Sequence, residues 1–296
     1  MRISIVTPVY NAPSHLSGAM QSVASQKGSF DLDYLVVDGG SVDGTLDIVK
    51  TADGMGGRWL SESDRGMYDA IAKGFAQTDG DIMGWLNADD LLLPGALDLV
   101  ARIFSDIPDI QWLTTLTPMS IDEQGDVLAV RNLPGLSYAA FLDGVYVGLG
   151  GLGDSHASDF IQQESTFWRR CLWDGVNGGA LLSNRRLAGD FALWNAFFEV
   201  SEPLGVAAPL GLFRLHGEQL SRSRSATYLE EAADILRTAR LKAGRQDAPI
   251  RDVELRYYQG SYASKSAKGD WQKTIREFAV LPASPLKQAL GRGLVF

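Results

Sequence analysis

Short apolar runs alternate with amphipathic segments over the first part of the chain. The apolar runs predict strands at 3–7, 34–37, 59–60 and 81–86. Apolar residues at helical spacing predict intervening helices at 14–25, 45–49, 66–76 and 96–104. Strands that alternate with helices form βαβ units, so we predict an α/β fold with a mainly parallel sheet covered on both faces.

Polar residues follow these predicted strands at the point where each strand stops. They are Thr7, Asp38, Glu62 and the segment 87–90, which reads Asn-Ala-Asp-Asp. In open parallel sheets, ligands bind outside the carboxyl ends of the strands. The pattern therefore places a ligand site at this edge of the sheet.

The pattern becomes less regular beyond residue 109. Residues 110–130 are predicted to be extended, with a turn at Gln124-Gly125. Five glycines between residues 144 and 158 indicate a flexible loop, which either closes over a substrate or is a plain connector. After Leu220, apolar spacing predicts helices at 228–241, 252–264 and 271–278.

Composition excludes several classes of protein. The length of 296 residues and the 45% hydrophobic content suit one globular domain, alone or with an appendage. A net charge of −9 argues against broad nucleic-acid binding, so no nucleic-acid partner is expected. The chain has one cysteine, which forms no intrachain disulfide, and no apolar stretch approaches the ~20 residues of a membrane span. We therefore expect a cytoplasmic protein.

The charge is unevenly distributed along the chain. Residues 230–296 contain 12 Lys and Arg against 8 Asp and Glu, so a basic C-terminal segment follows an acidic body. A solvated helical face is the commoner explanation of such a surplus, and attraction to an anionic membrane surface is the alternative. On the second interpretation, the protein would lie peripherally on the inner face of the plasma membrane.

The segment Asn87-Ala88-Asp89-Asp90 carries adjacent carboxylates directly after a predicted buried strand. Like charges this close repel each other unless a cation or hydrogen-bond donors compensate. Mg²⁺ and Mn²⁺ prefer oxygen ligands and are commonly held by one or two carboxylates together with substrate phosphates. An Asp-rich turn that caps the next helix is the alternative interpretation.

Several motifs together resemble those of glycosyltransferase family 2, whose members have the GT-A fold. The matching segments are, in order, 5–11, 36–45, 61–70, 87–94, 163–170 and 189–194. The resemblance is to bacterial exopolysaccharide and lipopolysaccharide biosynthesis members. It implies a GT-A domain with a nucleotide-sugar-binding sheet over 1–221, divided into a nucleotide-binding half (1–109) and an acceptor half (110–221). A C-terminal helical region would follow at 222–296.

The resemblance implies a site for a nucleotide-diphosphate sugar, with a UDP-sugar favoured. Asp38 would accept the N3–H of the base, Thr7 would line the same pocket, and Arg65 would meet the diphosphate. Asp89 would bind Mn²⁺ or Mg²⁺, while Asn87, at a position where Asp is commoner, would contact the donor through its amide. The other implied donor-binding residues are Pro8, Tyr10 and Ala88.

Asp190 is the candidate general base, because partial desolvation beside an aromatic segment would tune its proton affinity. An ordinary helix N-cap aspartate is the alternative. His216 would reach the metal or the diphosphate, although lone histidines are more often structural. The implied acceptor side contains Glu164, Trp168 and Trp194, and the tryptophans either stack on a sugar or pack in the core.

These assignments predict an inverting, metal-dependent and non-processive glycosyltransferase. The Gln-x-x-Arg-Trp segment of processive synthases does not occur in the sequence. The implied acceptor is a saccharide or lipid-linked saccharide in surface polysaccharide synthesis. Two alternatives are a non-catalytic nucleotide-sugar scaffold and a sugar-1-phosphate nucleotidyltransferase, which would need a Gly-rich phosphate loop after the first strand.

Overall fold

The computed structural model describes residues 1–147, 160–217, 224–245 and 256–280. Over these ranges the strands form a nine-stranded sheet and a four-stranded sheet. The glycine-rich stretch lies mainly outside the described residues, as does the basic tail beyond residue 280. Within the described ranges, no helix is long and apolar enough to cross a bilayer.

The N-terminal part contains every strand and helix that its hydrophobic pattern predicts. The strands are β1 (Arg2–Val9), β2 (Asp31–Asp38), β3 (Arg58–Ser61) and β4 (Ile82–Trp85). The helices are α1 (Pro13–Ala24), α2 (Thr45–Val49), α3 (Met67–Ala76) and α4 (Ala96–Asp106). A 3₁₀ turn at Lys50–Met55 continues directly from α2.

The rest of the described chain adds strands to both sheets and helices over their faces. The strands are β5 (Leu91–Leu92), β6 (Trp112–Thr115), β7 (Met119–Ile121), β8 (Val127–Val130), β9 (Thr166–Arg169), β10 (Leu204–Val206), β11 (Gly211–Arg214), β12 (Arg256–Lys265) and β13 (Trp271–Val280). The helices are α5 (Tyr138–Leu142), α6 (Arg170–Gly175), α7 (Gly178–Ser183), α8 (Gly189–Phe198) and α9 (Ser225–Lys242). The extended pattern predicted for 110–130 is confirmed by β6, β7 and β8, with Gly125 in the turn at φ 96°.

The nine-stranded sheet has the order β13-β12-β10-β6-β9-β4-β1-β2-β3. Parallel pairing joins β3, β2, β1 and β4, whereas β9 is antiparallel to both β4 and β6. Because β1 to β4 run in one direction, the polar residues after them meet at one edge. The small sheet, β5-β11-β7-β8, lies beside this edge because β5 follows closely on β4.

Two apolar cores lie on the two faces of the large sheet. Alternation along β1 places Ile5 in the core under α1 and α4, with Leu16 and Val100. It places Val6 in the opposite core, under α3 and α8, with Ile71. Full burial of side chains of this size contributes roughly 1.5–3 kcal/mol each, so both cores hold the edge residues in place.

The C-terminal region contains one of the predicted helices and a β-hairpin. α9 accounts for the helix expected at 228–241. The helices expected at 252–264 and 271–278 are wrong, because the described part of the first segment, from residue 256 onwards, lies in β12 and the second lies in β13. Ile275, which gives helical spacing with Trp271 and Phe278, is 66% exposed, so that spacing marks no buried face. Since β12 pairs with β10, the hairpin belongs to the large sheet.

Candidate active site

Asp38 ends β2 at the carboxyl edge of the sheet and is fully buried. Its carboxylate accepts a hydrogen bond from the Ser61 hydroxyl at 2.6 Å, and further bonds from the hydroxyl and N–H of Ser41. Buried polar groups are costly without such partners. The two serines therefore fix the orientation of the carboxylate that the sequence motif assigns to the nucleotide base.

β1 brings Thr7, Pro8 and Tyr10 to the same edge. Thr7 is buried, and its Oγ1 accepts a hydrogen bond from the Tyr34 hydroxyl at 3.0 Å. The Thr7 hydroxyl therefore points into the core, where it holds the end of β1 in place beside Asp38. Pro8 is also buried, whereas Tyr10 is exposed and packs against Gly39, where an added Cβ would lie 3.2 Å from the Tyr10 ring. Of these residues, Tyr10 offers a ring face to a ligand.

Arg65 lies in the loop between β3 and α3, with 70% of its side chain exposed. Its Nη2 is 2.7 Å from Oδ1 of Asp69, and its backbone N–H donates to the same carboxylate. Hydrogen bonding to Arg65 is the main cause that holds the pKa of Asp69 below its usual range. These bonds tie the loop to the first turn of α3. The guanidinium of Arg65 stays accessible to solvent.

Asp90 holds together the turn that links β4 and β5. Its buried carboxyl accepts a hydrogen bond from the Arg214 N–H at 2.9 Å and another from the side-chain amide of Asn87 at 3.2 Å. Burial raises the pKa of Asp90 well above its usual range, and the charges of Asp89 and Glu164 act in the same direction. Asp90 is therefore a structural group, and Asp89 is the carboxylate of this turn that a cation can reach.

The alternative interpretation of the Asp-rich segment 87–90 is a turn that caps the next helix. α4 begins after Gly95 and has no side-chain cap, so the turn does not cap that helix. Ala88 is half-buried and packs against the core under α4. The buried Oδ1 of Asn87 has no hydrogen-bond partner among the described residues, which leaves an acceptor for a ligand at the predicted donor position.

Asp89 and His216 form a pair across the site. Oδ2 of Asp89 lies 2.8 Å from Nε2 of His216, although the residues are 127 positions apart. The two side chains are 29% and 15% exposed, so the pair borders solvent. Arg214, at the end of β11, donates from Nε to the carbonyl of Asp89 and from Nη1 to the carbonyls of Asp122 and Glu123. Arg214 thus fastens the turn to the small sheet.

The pair Asp89 and His216 fits a cation that takes its other ligands from a diphosphate. Among the described residues, no three His, Cys, Asp or Glu side chains converge on one cation position. Mg²⁺ sites commonly use one or two carboxylates and complete their coordination with substrate phosphates and water.

No motif marks His15, yet its ring centroid lies 5.6 Å from that of His216. Burial and then the charge of Arg214 lower the pKa of His15, which favours its neutral form.

Asp190 is the second residue of α8 and is buried. Its Oδ1 accepts hydrogen bonds from the Phe191 N–H at 2.8 Å and from the Tyr68 hydroxyl at 3.3 Å. Burial raises the pKa of Asp190 to about 6, although these hydrogen bonds oppose the shift. The N-cap position of α8 is Ala188, and no side-chain bond is made from it, so the N-cap interpretation of Asp190 is wrong. A carboxyl with this pKa is suited to general-base chemistry.

Glu164 is a further buried carboxyl of the candidate site. It lies in the 3₁₀ turn Gln163–Ser165 before β9, is buried, and has no hydrogen-bond partner for its Oε1 among the described residues. Burial raises the pKa of Glu164 to about 8, and the charges of Asp89 and Asp190 are further causes. Glu164 is therefore a buried carboxyl whose ionisation the charges of Asp89 and Asp190 both disfavour.

Trp168 and Trp194 are core residues, so of the two interpretations of these rings core packing is confirmed and stacking on an acceptor sugar is not supported. Both are buried, and Trp194 stacks between Trp85 and Trp112 with ring centroids 6.0 and 5.8 Å away. Trp168 lies in β9, directly after the turn that contains Glu164. Trp194 lies one turn after Asp190 in α8. The two rings therefore support the segments that carry the buried carboxyls.

Comparisons of sequence relate this chain to glycosyltransferases. Residues 4–117 match the family model described as Glycosyl transferase family 2. An uncharacterized glycosyltransferase of Mycobacterium tuberculosis is 31% identical over 226 residues, which cover 76% of this chain and 80% of that protein. An uncharacterized glycosyltransferase of Nostoc sp. is 30% identical over 107 residues, which span 35% of this chain and 33% of that relative.

Comparisons of structure give the same fold at low sequence identity. Residues 1–349 of S. aureus TarS, solved in complex with UDP-GlcNAc, superpose with a TM-score of 0.58 at 13% identity, covering 84% of this chain and 68% of that one. Mannosyltransferase PcManGT from Pyrobaculum calidifontis, solved in complex with GDP-Man and Mn²⁺, gives a TM-score of 0.54 at 16% identity, covering 82% and 64%. The predicted GT-A fold is confirmed, and this chain belongs to glycosyltransferase family 2.

Proposed function

We propose that this glycosyltransferase moves one sugar from a nucleotide-diphosphate donor to an acceptor hydroxyl, with inversion at the anomeric carbon. The observation that carries the proposal is a packing contact between the two parts of the site: Trp85, at the end of the strand that leads to Asp89, stacks on Trp194 of α8, the helix that carries Asp190. This contact supports one site in which a donor diphosphate beside Asp89 and an acceptor beside Asp190 meet. Membership of glycosyltransferase family 2 supports sugar transfer over the nucleotidyltransferase alternative.

Asp190 acts as the general base in this proposal. The acceptor hydroxyl gives its proton to the Asp190 carboxylate while its oxygen bonds to the anomeric carbon and the bond to the diphosphate breaks. A pKa of about 6 leaves Asp190 mostly deprotonated at neutral pH. Tyr68 and the Phe191 N–H both contact Oδ1, so Oδ2 is the oxygen that would face the acceptor.

The donor nucleotide would bind at the edge formed by β1 and β2. Asp38 would accept the N3–H of uracil once the Ser41 or Ser61 hydroxyl gives up its bond to the buried carboxylate, and the exposed ring of Tyr10 would lie beside the base. The accessible guanidinium of Arg65 would pair with the diphosphate. PcManGT was solved with GDP-Man, so guanine is the alternative base for this fold.

Asp89 and His216 would hold Mn²⁺ or Mg²⁺ together with the donor. When bound, the ion would offset the negative charge that develops on the departing diphosphate. Asn87 would contact the donor through its side-chain amide, and its unpartnered Oδ1 supports a ligand at this position. The metal site stays a prediction.

The acceptor would bind in the predicted acceptor half, 110–221, which contains Glu164 and Asp190. The family resemblance favours a saccharide or lipid-linked saccharide in surface polysaccharide synthesis. The positive charge of 230–296 supports contact with an anionic membrane surface, which would place the enzyme beside a lipid-linked acceptor. Non-processive transfer of one sugar in each encounter rests on the missing Gln-x-x-Arg-Trp segment.

The donor half of the proposal is tested by calorimetric titration of UDP in Mn²⁺, then in EDTA, then with GDP in place of UDP. UDP binding that disappears in EDTA supports the Asp38–Arg65–Asp89 site. Preference for GDP overturns the uracil assignment, and no binding of either nucleotide overturns the donor site.

The catalytic half is tested by transfer assays with the wild type and Asp190→Asn, using the UDP-sugar that binds. Loss of transfer with retained UDP binding supports Asp190 as the base. A product whose anomeric configuration is opposite to that of the donor supports inversion, and a retained configuration overturns it. Donor binding without turnover by the wild type would favour the scaffold alternative.

A further inference from the structure

One face of α9 contacts the segment that carries Asp190. Oε2 of Glu231 accepts hydrogen bonds from the N–H groups of Leu187, at 3.2 Å, and Ala188, at 3.0 Å. Ala188 is the N-cap residue of α8, and Asp190 lies two positions further on. The N-terminus of α8 has no side-chain cap from its own sequence, so Glu231 supplies from another helix the anchoring that a capping glutamate usually provides locally.

Tyr228 lies on the same face of α9, three residues before Glu231. It is buried, and its hydroxyl has no hydrogen-bond partner among the described residues. Burial, and then the charge of Asp190, raise the pKa of Tyr228 well above its usual range. The Tyr228 hydroxyl is a hydrogen-bond donor that the described residues leave unused.

We propose that Glu231 is a positioning residue for the catalytic base, and that α9 thereby completes the acceptor-activating site. The inference rests on the proposed role of Asp190. Because Oδ1 of Asp190 is already held by Tyr68 and Phe191, the direction of Oδ2 depends on the backbone at the start of α8. Glu231 holds that backbone, and a displacement of about 1 Å at such a group can lower a rate about a hundredfold.

Charge gives Glu231 a second effect on the base. The titratable groups whose charges act with Asp190 come from three elements: Tyr68 from α3, Glu164 from the turn before β9, and Tyr228 and Glu231 from α9. Burial is the main cause of the raised pKa of Asp190, and the negative charge of Glu231 adds to it. Glutamine at position 231 would keep an acceptor oxygen for both N–H groups and remove only the charge.

The test compares Glu231→Gln and Glu231→Ala with the matched control Glu230→Gln. Glu230 is the neighbouring residue on α9, and it is exposed. The pH dependence of kcat/KM is measured with the full chain and the donor identified by titration. Glu231→Gln is expected to lower the midpoint of the acid limb by about 0.5 pH unit, with kcat at pH 8 close to wild type. Glu231→Ala is expected to lower kcat about 10- to 100-fold with an unchanged donor KM.

The outcomes separate this inference from the proposed function. If both position-231 variants match Glu230→Gln in pH profile and kcat, the inference is overturned. If Asp190→Asn transfers sugar at the wild-type rate, the proposed base is wrong whatever position 231 shows. Thermal melts establish which variants fold, and if Glu231→Ala does not, Glu231→Asp takes its place, because the shorter side chain keeps the charge and withdraws the carboxylate from the two N–H groups.

Discussion

Replacing Asp190 with asparagine is expected to stabilise the fold at neutral pH while it removes sugar transfer. Burial raises the pKa of Asp190 to about 6 in the folded protein, against an ordinary value of 3.8. Below the lower value the carboxyl is protonated in both states, and it has no effect on the free energy of unfolding. Between the two values the unfolded chain ionises first, so stability falls as the pH rises, and the loss is complete above the folded pKa.

The size of the effect follows from the difference between the two pKa values. About two pKa units correspond to about 3 kcal/mol, which is the most that ionised Asp190 destabilises the fold. Asparagine keeps an oxygen for the Phe191 N–H and the Tyr68 hydroxyl, so those contacts are expected to persist. For a protein of this size, a gain of about 3 kcal/mol raises Tm by roughly 5 °C at pH 7.5. At pH 4 the gain is expected to be below about 1 kcal/mol.

Urea unfolding at pH 4, 6 and 7.5 measures this dependence for the wild type and Asp190→Asn, with the exposed Asp109→Asn as the control. Transfer by Asp190→Asn is expected to fall at least about a hundredfold. A stability change that is the same at every pH, or a loss at pH 7.5, would refute burial as the cause of the raised pKa. Unchanged transfer would remove Asp190 from the mechanism.

Three further substitutions test other parts of the site. Asp89→Asn is expected to weaken Mn²⁺-dependent UDP binding at least about tenfold in calorimetry, because a carboxylate ligand is lost. Trp194→Phe is expected to lower the free energy of unfolding in urea by about 1–3 kcal/mol and to leave the acceptor KM unchanged, since the ring packs in the core. Gly211→Ala would place a Cβ 2.8 Å from the carbonyl oxygen of Glu164, so kcat is expected to fall about tenfold relative to the unobstructed Gly54→Ala.

Each of these expectations has an opposing result. Unchanged Mn²⁺ dependence in Asp89→Asn would place the cation elsewhere. A raised acceptor KM in Trp194→Phe would return that ring to the acceptor site. Equal kcat values for Gly211→Ala and Gly54→Ala would mean that the position of Glu164 does not limit the reaction.

The N-terminal strands could be predicted because they are short apolar runs with clear ends. In β2, residues 34–37 are buried on both faces of the sheet, so they form the continuous apolar run typical of a parallel strand. The C-terminal hairpin could not be predicted in the same way. β13 lies at the sheet edge, where burial does not alternate, and Trp271, Ile275 and Phe278 recur at helical spacing by chance. Gly269, at φ 92°, is the local signal of the hairpin turn.

In the candidate site too, some residues could be predicted from the sequence and others could not. Local sequence marks Asp89, which follows an apolar strand in an Asp-rich segment, and Asp190, which precedes an aromatic segment. The groups that hold them could not be predicted, since Tyr68 is 122 residues from Asp190, Arg214 is 125 from Asp89, and Glu231 contacts α8 from another helix. Such contacts are set by tertiary packing, on which local sequence carries little information. For Trp194, the sequence leaves core packing and sugar stacking open, because no motif shows which faces of the ring are covered.

The pairing of β10 limits how the chain can be shortened. This three-residue strand pairs with β6 on one side and with β12 on the other. Removing the residues after 245 would leave one side of β10 with free N–H and C=O groups beside the apolar Leu204 and Val206. An open edge of this kind is a template for pairing between molecules. Aggregation of the shortened protein would therefore report an uncovered sheet edge, and it would say nothing about whether the hairpin takes part in catalysis.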